Sequence, residues 1–482
     1  MKKVFNILLA ALLMFPVAAS AQQNLRGGYF LDGYVYKYKM NPAMAAERNF
    51  VSMPGLANVS LGADSDFGLG TFLYPTENGL STFLSPSVSS EEFLSKIAVS
   101  NKVNMNLDMT LLAAGFRTGK SYHTIDLSMR ADMGMNLPGS LFEFMKLGSS
   151  LGNSFDVSSL SVRGNGRMEL AYGYSRSFLN DDLRVGARAK LLWGVYRLDL
   201  LMDKVSLEMN ADKWAIESHG DMTMTAPVSF ELDEANKVKF LSWDTSNLVQ
   251  NLFTPNLGFA FDLGVTYDFL EHFTASFSVL DLGMMTWKNV MHASTAGSSW
   301  EFDGFDNINM DTIQDEISGI LDDALELFQF EQKETGLKKS SGLTATIHAG
   351  LEARMPFYER LSFGALYTQK LDGMYSLSEG RLAASVAPLN WLSATTSYAV
   401  SNYGHSWGGA LNVHTLGFGF FVGFDSFVPL FNVSPQFIPV NPFTTNLSVG
   451  MNFTFGTYNG RYPKKSASKT ATTVASEPTS EK

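Results

Sequence analysis

Long runs of strict alternation between apolar and polar residues constrain the fold of this chain more than any other feature of its sequence. Between residues 256 and 269, Leu257, Phe259 and Phe261 alternate with small or polar residues such as Asp262. Comparable runs cover residues 102–116, 123–135, 182–195 and 446–455, and each run contains 10 to 15 residues. Because successive side chains of a β-strand point to opposite faces, each run predicts a strand with one apolar face and one polar face.

The length of these runs distinguishes two classes of exported β-protein. Strands of soluble proteins usually have about 5–6 residues, whereas a tilted strand needs about 9–11 residues to cross a bilayer. The polar faces carry Gly, Ser, Thr, Asn, Asp and Arg, which suit a wet lumen. A soluble β-sandwich would keep its apolar faces internal and break its strands with turns more often. The pattern therefore favours a transmembrane barrel over a soluble periplasmic or secreted β-protein.

The connections between the runs alternate in length. Short links are predicted near residues 118–121, 179–181, 270–272, 356–359, 388–390 and 415–417. The links between them are mostly longer and cover residues 74–101, 137–159, 199–255, 288–340, 373–378, 401–406 and 428–445. Tight turns at one end and longer loops at the other are typical of outer-membrane barrels, whose sheet must close because lipid cannot satisfy a free strand edge. We predict an all-β, antiparallel transmembrane barrel of about 14 strands, with segment 204–232 as a protruding hairpin.

Composition excludes several other classes of protein. Only 17% of the residues are charged and 45% are hydrophobic, whereas soluble domains carry about 25% charged residues. The net charge of −11 argues against a nucleic-acid partner. The chain has no Cys, which excludes a disulfide scaffold, a Cys-based zinc or iron–sulfur site, and a lipid anchor on cysteine.

The two ends of the chain differ from the alternating part. Lys2 and Lys3 precede an apolar stretch over residues 4–15, and Ala-Ser-Ala at 19–21 is a small-residue cleavage site. We therefore expect a signal peptide over residues 1–21, export of the chain, and a mature net charge of −13. Residues 457–482 are rich in Ser, Thr, Ala and Lys, and they predict a disordered tail.

One amphipathic helix is predicted over residues 311–331, in an outer loop. Its apolar residues recur at the i, i+3 and i+4 spacing of a helix face. We expect an outer apolar site formed by Ile317, Leu321, Leu325 and Phe328. Met222, Met224 and Phe230 of the long third loop could join this site, or they could pack on each other and stiffen the loop.

Charged residues recur on the polar, lumen-facing side of three predicted strands. They are Asp126, Arg130 and Asp132; Arg184, Arg188 and Lys190; and His348, Glu352 and Arg354. These side chains could line a binding or selectivity region, or they could form a salt-bridged interior that supports the barrel. Both signs of charge are interleaved, which favours the salt-bridged interior.

No pattern predicts catalysis. Residues 148–152 match G-x-S-x-G, but this stretch lies in a Gly/Ser-rich loop, whereas a nucleophile elbow needs a strand before it and a helix after it. The seven His are scattered, without metal-ligand spacing. Asp303, Asp306 and Asp311 form an acidic loop that lacks EF-hand spacing. We therefore expect no enzyme, no catalytic residue, no cofactor and no metal site.

Two short N-terminal motifs carry a family resemblance. Residues 29–33 read YFLDG and residues 40–43 read MNPA. Together with the strand-like sequences DLGVTY at 262–267 and VLDLG at 279–283, they resemble an uncharacterised family of Bacteroidota outer-membrane proteins. That family in turn resembles the FadL-like long-chain fatty-acid transporter superfamily. The resemblance implies a 14-stranded barrel over residues 58–456 and an N-terminal hatch over residues 22–57. One departure is the 27-residue tail after Phe455, since outer-membrane barrels usually end at a terminal aromatic.

The same resemblance assigns Asn41, Pro42 and Ala43 to the hatch. In that superfamily hydrophobic substrates bind outside, pass the hatch and leave sideways through a gap in the wall. Pro42 forces an extended or turn geometry on the residue before it, so a plain turn before the barrel would also explain the motif.

The expected function is passive, FadL-like uptake of hydrophobic or amphipathic small molecules across the cell outer membrane. The alternative is a structural or partner-binding barrel, such as a secretion accessory, that transports nothing. The expected partners are outer-membrane lipid and the barrel-assembly machinery, with a hydrophobic small molecule as a candidate ligand.

Overall fold

The computed structural model describes residues 25–55, 57–76, 79–83, 85, 87–147, 153–209, 214–226, 229–232, 236–244, 256–295, 298–302, 330–426 and 443–458. Several predictions lie outside this part of the chain. They are the signal peptide over 1–21, the 148–152 motif, the acidic loop, the outer apolar site at Ile317, Leu321, Leu325 and Phe328, and nearly all of the 311–331 helix and the 457–482 tail.

The described elements are almost all strands. The first twelve are β1 (Asn49–Ser52), β2 (Asn58–Ser65), β3 (Leu73–Thr76), β4 (Gly79–Thr82), β5 (Ser100–Thr118), β6 (Ser121–Pro138), β7 (Asn153–Asp156), β8 (Ser161–Phe178), β9 (Leu183–Met209), β10 (Trp214–Thr225), β11 (Ser229–Leu232) and β12 (Val238–Asp244). The others are β13 (Leu257–Phe269), β14 (Phe273–Ser294), β15 (Ser298–Phe302), β16 (Glu331–Gly342), β17 (Ala345–Met355), β18 (Tyr358–Leu371), β19 (Leu377–Leu389), β20 (Leu392–Ser401), β21 (Gly404–His414), β22 (Gly419–Phe424) and β23 (Phe443–Phe455).

Helices are few in the described chain. Two α-helices, α1 (Ser90–Leu94) and α2 (Gly139–Leu147), lie in connections between strands. Short 3-10 turns cover Arg26–Phe30, Val35–Lys39, Leu69–Thr71, Leu179–Asp181 and Gly373–Tyr375. None of the described helices has the length and apolar character needed to cross a membrane.

Fourteen antiparallel positions close the sheet into a barrel, which confirms the predicted fold. The short strands β1 and β2 together form the first position. The other thirteen, in order around the wall, are β5, β6, β8, β9, β13, β14, β17, β18, β19, β20, β21, β22 and β23. The ring closes where Val59 of β2 pairs with Val449 of β23. Because β1 pairs with both β23 and β5, the wall begins at Asn49 and not at residue 58. The interruption after β1, which contains Pro54 and Gly55, conceals this early start in the sequence pattern.

The two ends of the barrel differ as predicted. The six short links join β5 to β6, β8 to β9, β13 to β14, β17 to β18, β19 to β20 and β21 to β22, and we call this end the short-turn end. At the opposite, long-loop end, β9 and β14 continue past the wall and pair with β10, as the predicted protruding hairpin requires. Strand β16 extends this protruding sheet along β14.

The alternation places polar side chains inside the barrel and apolar ones outside. On β13, Phe259 and Leu263 face outward and are about half exposed, at 51% and 52%, whereas Asp262 faces inward and is fully buried. The largest apolar cluster of the described chain lies inside the lumen, where residues 25–46 pack against inward-facing wall residues such as Phe50 and Phe421. Two further apolar clusters lie at the long-loop end, around Phe93 and around Met222.

Candidate functional site: the segment inside the lumen

Residues 25–48, here called the inner segment, lie inside the barrel and contact many of its strands. The aromatic side chains of this segment, Tyr29, Phe30, Tyr34, Tyr36 and Tyr38, are all at most 4% exposed. Their bulk fits because the wall carries glycine where they approach. A Cβ atom at Gly364 would overlap the ring of Phe30, and one at Gly186 would overlap the carbonyl of Pro42.

Asn41 joins the inner segment to two wall strands. Its Nδ2 donates to the backbone oxygens of Val265 at 3.2 Å and Phe277 at 3.3 Å, and its Oδ1 accepts from the Ala43 N–H at 3.0 Å. Since the side chain both fixes a turn within the segment and occupies wall carbonyls, it acts as more than a local turn former. The next residue, Pro42, lies against Gly186, three residues into β9 at the short-turn end.

Lys39 joins the inner segment to the middle of the lumen. Its Nζ lies 2.7 Å from Asp108 Oδ1 on β5, and both side chains are fully buried. The same ammonium donates to Thr110 at 2.7 Å and Ser128 at 3.2 Å. Three donors therefore meet three acceptors, which satisfies a lysine that has no contact with water.

Lys39 is one end of a chain of buried ion pairs, here called the central network. Asp108 also contacts Arg130 at 3.0 Å, Arg130 reaches Asp281 at 3.2 Å, and Lys190 bridges Asp281 and Asp262. The network consists of Lys39, Asp108, Asp126, Arg130, Arg167, Glu169, Arg188, Lys190, Asp262 and Asp281. Among these ten side chains five cations face five carboxylates, so their formal charges cancel.

A bulge brings Asp281 into the central network. The register between β13 and β14 shifts next to Asp262, and Asp281 has a positive φ of 59°. The Asp281 N–H donates to Asp262 Oδ1 at 2.8 Å. A strained backbone at a non-glycine residue persists only where its surroundings hold it, and here the ion pairs to Arg130 and Lys190 do so.

A second set of charges holds the start of the inner segment. Arg26 pairs with Glu379 at 3.0 Å, and the Gly27 N–H donates to Asp425 Oδ1 at 2.7 Å. Arg381 lies between these two wall carboxylates, 2.9 Å from Glu379 and 3.6 Å from Asp425. The inner segment is thus anchored at Arg26, at Lys39 and at Asn41.

The long-loop end of the lumen is covered by side chains from loops. Tyr375, in the link between β18 and β19, is 4% exposed, and its hydroxyl lies 2.9 Å from Ser161 Oγ. The neighbouring Asp372 pairs with Arg163 at 2.5 Å and with Lys370 at 3.2 Å. Burial would raise the pKa of the Asp372 carboxyl, but Lys370 and Arg163 outweigh burial and hold that pKa below its usual range.

The sequence carries a family match over most of its length. A model described as a family of unknown function, DUF5723, matches residues 42–425. The chain belongs to DUF5723. The matched range begins at Pro42 and ends at Asp425, so it covers most of the wall and the contacts of the central network on the wall strands.

The solved structures that resemble this DUF5723 chain share little sequence identity with it. The Ralstonia pickettii toluene transporter TbuX is 9% identical with a TM-score of 0.40, and the alignment covers 91% of this chain and 96% of that one. A Pseudomonas aeruginosa FadL homologue is 10% identical with a TM-score of 0.43, covering 91% and 99%. The Pseudomonas putida toluene transporter TodX is 8% identical with a TM-score of 0.40, covering 92% and 99%. No curated protein matches the sequence significantly.

Some of the charged residues predicted to face the lumen of this DUF5723 chain contact each other, and others do not. Asp126, Arg130, Arg188 and Lys190 meet in the central network. Asp132 lies at the edge of this network, where it accepts from Asn165 Nδ2 at 2.5 Å and its carboxylate is 3.8 Å from Arg167. Within the described residues, no three His, Asp or Glu side chains are arranged to hold a metal ion.

The remaining predicted residues of this DUF5723 chain lie elsewhere along the lumen. His348 shares a hydrogen bond of 3.0 Å with Thr368 and lies beside Tyr29. Glu352 and Arg184 line a cavity at the short-turn end. Arg354 is only partly buried, and its backbone N–H donates to the His272 carbonyl at 2.8 Å.

Sequence reasoning missed several members of the two charge clusters. Asp108 and Asp262 lie on the polar faces of alternating runs, so the alternation of side chains along a strand could have identified them as lumen-facing. Asp281 escapes that rule because of the bulge. Lys39, Arg26 and Asp425 lie outside the alternating runs, and the sequence has no pattern that pairs them with the wall.

Proposed function

We propose that this DUF5723 chain is an outer-membrane barrel that admits hydrophobic or amphipathic small molecules passively, along a route controlled by the inner segment. A closed wall with an apolar outer face and a polar lumen is what a lipid-surrounded barrel requires. The observation that carries the proposal is the filled lumen. Because residues 25–48 occupy it with buried aromatic side chains, the barrel does not offer the open aqueous path of a porin.

The long-loop end offers a first contact for an apolar ligand. A groove of about 430 Å³ lies between α1 and α2, and Leu94, Ile97, Val99 and Pro138 provide its apolar lining. Val99 is 91% exposed, which is unusual for a valine and leaves apolar surface open to a ligand. Ser140, Glu143 and Asp156 stand at the same groove, so an amphipathic molecule could satisfy both kinds of surface.

The central network favours a second candidate function, a structural or partner-binding barrel. Removing one partner from a buried ion pair costs about 3–5 kcal/mol, and Lys39 is held by such a pair. A segment anchored this firmly suits a static plug as well as a gate. The lipid and assembly-machinery partners expected from the sequence belong to either function.

Uptake by cells of a Gram-negative host that produce the full chain separates the two functions. The apolar dye N-phenyl-1-naphthylamine reports apolar entry, and the hydrophilic antibiotic vancomycin reports an open pore. Uptake through a filled barrel predicts faster dye entry than in cells without the chain and unchanged resistance to vancomycin. If folded, surface-localised chain leaves dye entry unchanged, the transport proposal is wrong and the structural function is favoured.

A pair of matched variants tests the groove. Ile97→Glu puts a charge into the apolar lining, and it should slow dye entry several-fold. Ser95→Glu adds the same charge to a neighbouring exposed residue that does not line the groove, and dye entry should remain at the wild-type rate. Equal rates for wild type and Ile97→Glu would exclude this groove from the route.

A further inference from the structure

The cavity at the short-turn end contains two arginines that have no ion pair with a carboxylate of the described residues. Arg117 of β5 and Arg184 of β9 both point into the lumen and line a cavity of about 310 Å³. Within the described chain, neither guanidinium lies within 4.0 Å of an Asp or Glu oxygen, in contrast to every arginine of the central network. These two groups are therefore outside the salt-bridged interior that fills the middle of the lumen.

The two guanidiniums also use few of their donors. Arg117 donates to the Ala46 carbonyl at 3.3 Å, and Arg184 reaches Ser175 Oγ only at 3.5 Å. A guanidinium has five N–H donors in a planar fork that fits carboxylate and phosphate oxygens. Most of these donors have no acceptor among the residues that the structure describes, so the pair has capacity for an anion.

A buried hydroxyl beside the arginines supports the same conclusion. Ser177 of β8 pairs across the sheet with Arg184 and lines the same cavity. Its side chain is 3% exposed, and its Oγ has no hydrogen-bond partner in the described part of the chain. Buried hydroxyls are almost always hydrogen-bonded, so an unpaired Oγ beside Arg184, in the cavity that Arg117 also lines, marks a place for an oxygen-bearing ligand.

The same cavity is also lined by the carboxylates of Asp32, Glu47, Asp181, Asp268 and Glu352. Three of these carboxylates have partners other than the two arginines. Glu47 accepts from the Gly33 N–H at 3.2 Å, and Asp268 accepts from the Thr274 hydroxyl. Asp181 faces Lys120 at 3.8 Å near the surface. These acids add negative charge to the cavity, but within the described residues none of them occupies an N–H donor of Arg117 or Arg184.

We propose that the short-turn end binds a small water-soluble oxyanion, a carboxylate or a phosphate, between Arg117 and Arg184 with Ser177 as a hydroxyl donor. The ligand enters from the aqueous mouth of the barrel, since the lining faces the lumen and not the apolar outer wall. Binding draws Arg117 toward the anion and away from the Ala46 carbonyl, so the site contacts the last part of the inner segment. This inference goes beyond the proposed uptake and holds whether or not the barrel transports anything.

Titration calorimetry on the purified full chain in a neutral detergent tests the site, with inorganic phosphate and acetate as separate probes at constant ionic strength. We expect saturable binding of at least one probe. Arg184→Gln and Arg117→Gln should each weaken it at least tenfold, and Arg184→Lys should restore part of the loss. The matched control is Arg176→Gln, which removes a guanidinium from the outward face of β8 between Ser175 and Ser177 and should bind like wild type.

Three outcomes would overturn the proposal. They are no saturable binding of either probe to wild type, an equal loss in Arg176→Gln, or binding only to phosphatidic acid in vesicles and not to dissolved anions. Heat-dependent mobility in detergent gels shows whether each variant is folded. A folded Ser177→Ala variant gives a second test because it removes a donor without changing charge, and it should weaken binding several-fold.

Discussion

The Nζ atom of Lys39 lies 2.7 Å from Oδ1 of Asp108, and neither side chain has any contact with solvent. This pair joins the inner segment to strand β5, and its two residues are 69 positions apart in the sequence. A buried ion pair adds little net stability compared with an apolar pair, but breaking one half of it leaves an uncompensated charge. The pair therefore makes the position of the inner segment specific.

Replacing Lys39 with Met should lower the free energy of unfolding by about 3–5 kcal/mol, because Asp108 loses one of its two cations. Chemical unfolding of the refolded barrel in detergent measures this change. The double variant Lys39→Met/Asp108→Asn removes both charges and should recover part of the loss. A single variant as stable as wild type would contradict the anchoring role of Lys39.

Gly186 should tolerate no side chain, because a Cβ atom there would overlap the Pro42 carbonyl. We expect Gly186→Val to displace the inner segment and to destabilise the barrel by about 1–3 kcal/mol, the usual cost of overpacking. The matched control is Gly380→Val, since no atom of the described residues lies within 4 Å of a Cβ atom at that outward-facing glycine. The chain has no Cys, so a thiol introduced as Ala45→Cys can be labelled selectively. Labelling should be several-fold faster in Gly186→Val and unchanged in Gly380→Val.

Asn41→Leu should cost about 1–3 kcal/mol of stability, because the carbonyls of Val265 and Phe277 lose the donor that Nδ2 supplies. The same thiol at residue 45 should become more reactive, since the turn at Ala43 also loses its acceptor. Asn41→Asp keeps the shape and that acceptor but removes both donors. If Asn41→Asp behaved like wild type at pH 7, the wall contacts of Asn41 would be unimportant.

Acid should weaken the cover at the long-loop end through Asp372. The pKa of this carboxyl is lowered in the folded barrel because Lys370 and Arg163 outweigh its burial. Its contribution to stability is therefore complete above the unfolded pKa of about 3.9, and it is lost as pH falls from there through the folded pKa. Unfolding midpoints measured between pH 6 and pH 2 should fall less steeply below pH 4 for Asp372→Asn than for wild type. Parallel curves would show that the ion pairs of Asp372 do not contribute.

The barrel could be predicted from the sequence because its determinants are local. Strand parity fixes which residues of 256–269 face lipid and which face the lumen, and the alternation of link lengths fixes the number of strands. The first residue of the wall was harder to predict, because Pro54 and Gly55 interrupt the alternating pattern between β1 and β2. Residues 49–52 pair with β23 and β5 at the far end of the chain, and no local pattern encodes that pairing.

The site was predictable only in part for the same reason. Parity placed Arg130, Arg188 and Lys190 in the lumen, and interleaved charges favoured the salt-bridged interior that the structure contains. The partners of these residues depend on contacts across the lumen and on the bulge at Asp281. The isolation of Arg184 could not be predicted, since its spacing from Arg188 is that of any two residues on one strand face.

Single-channel conductance in planar bilayers shows whether the inner segment closes the lumen. The wild-type chain and a variant lacking residues 25–48 are inserted under the same salt and voltage. We predict that the wild type shows no stable conductance and that the deletion variant shows a steady, ohmic pore. A wild-type barrel that conducts as well as the deletion variant would contradict this account.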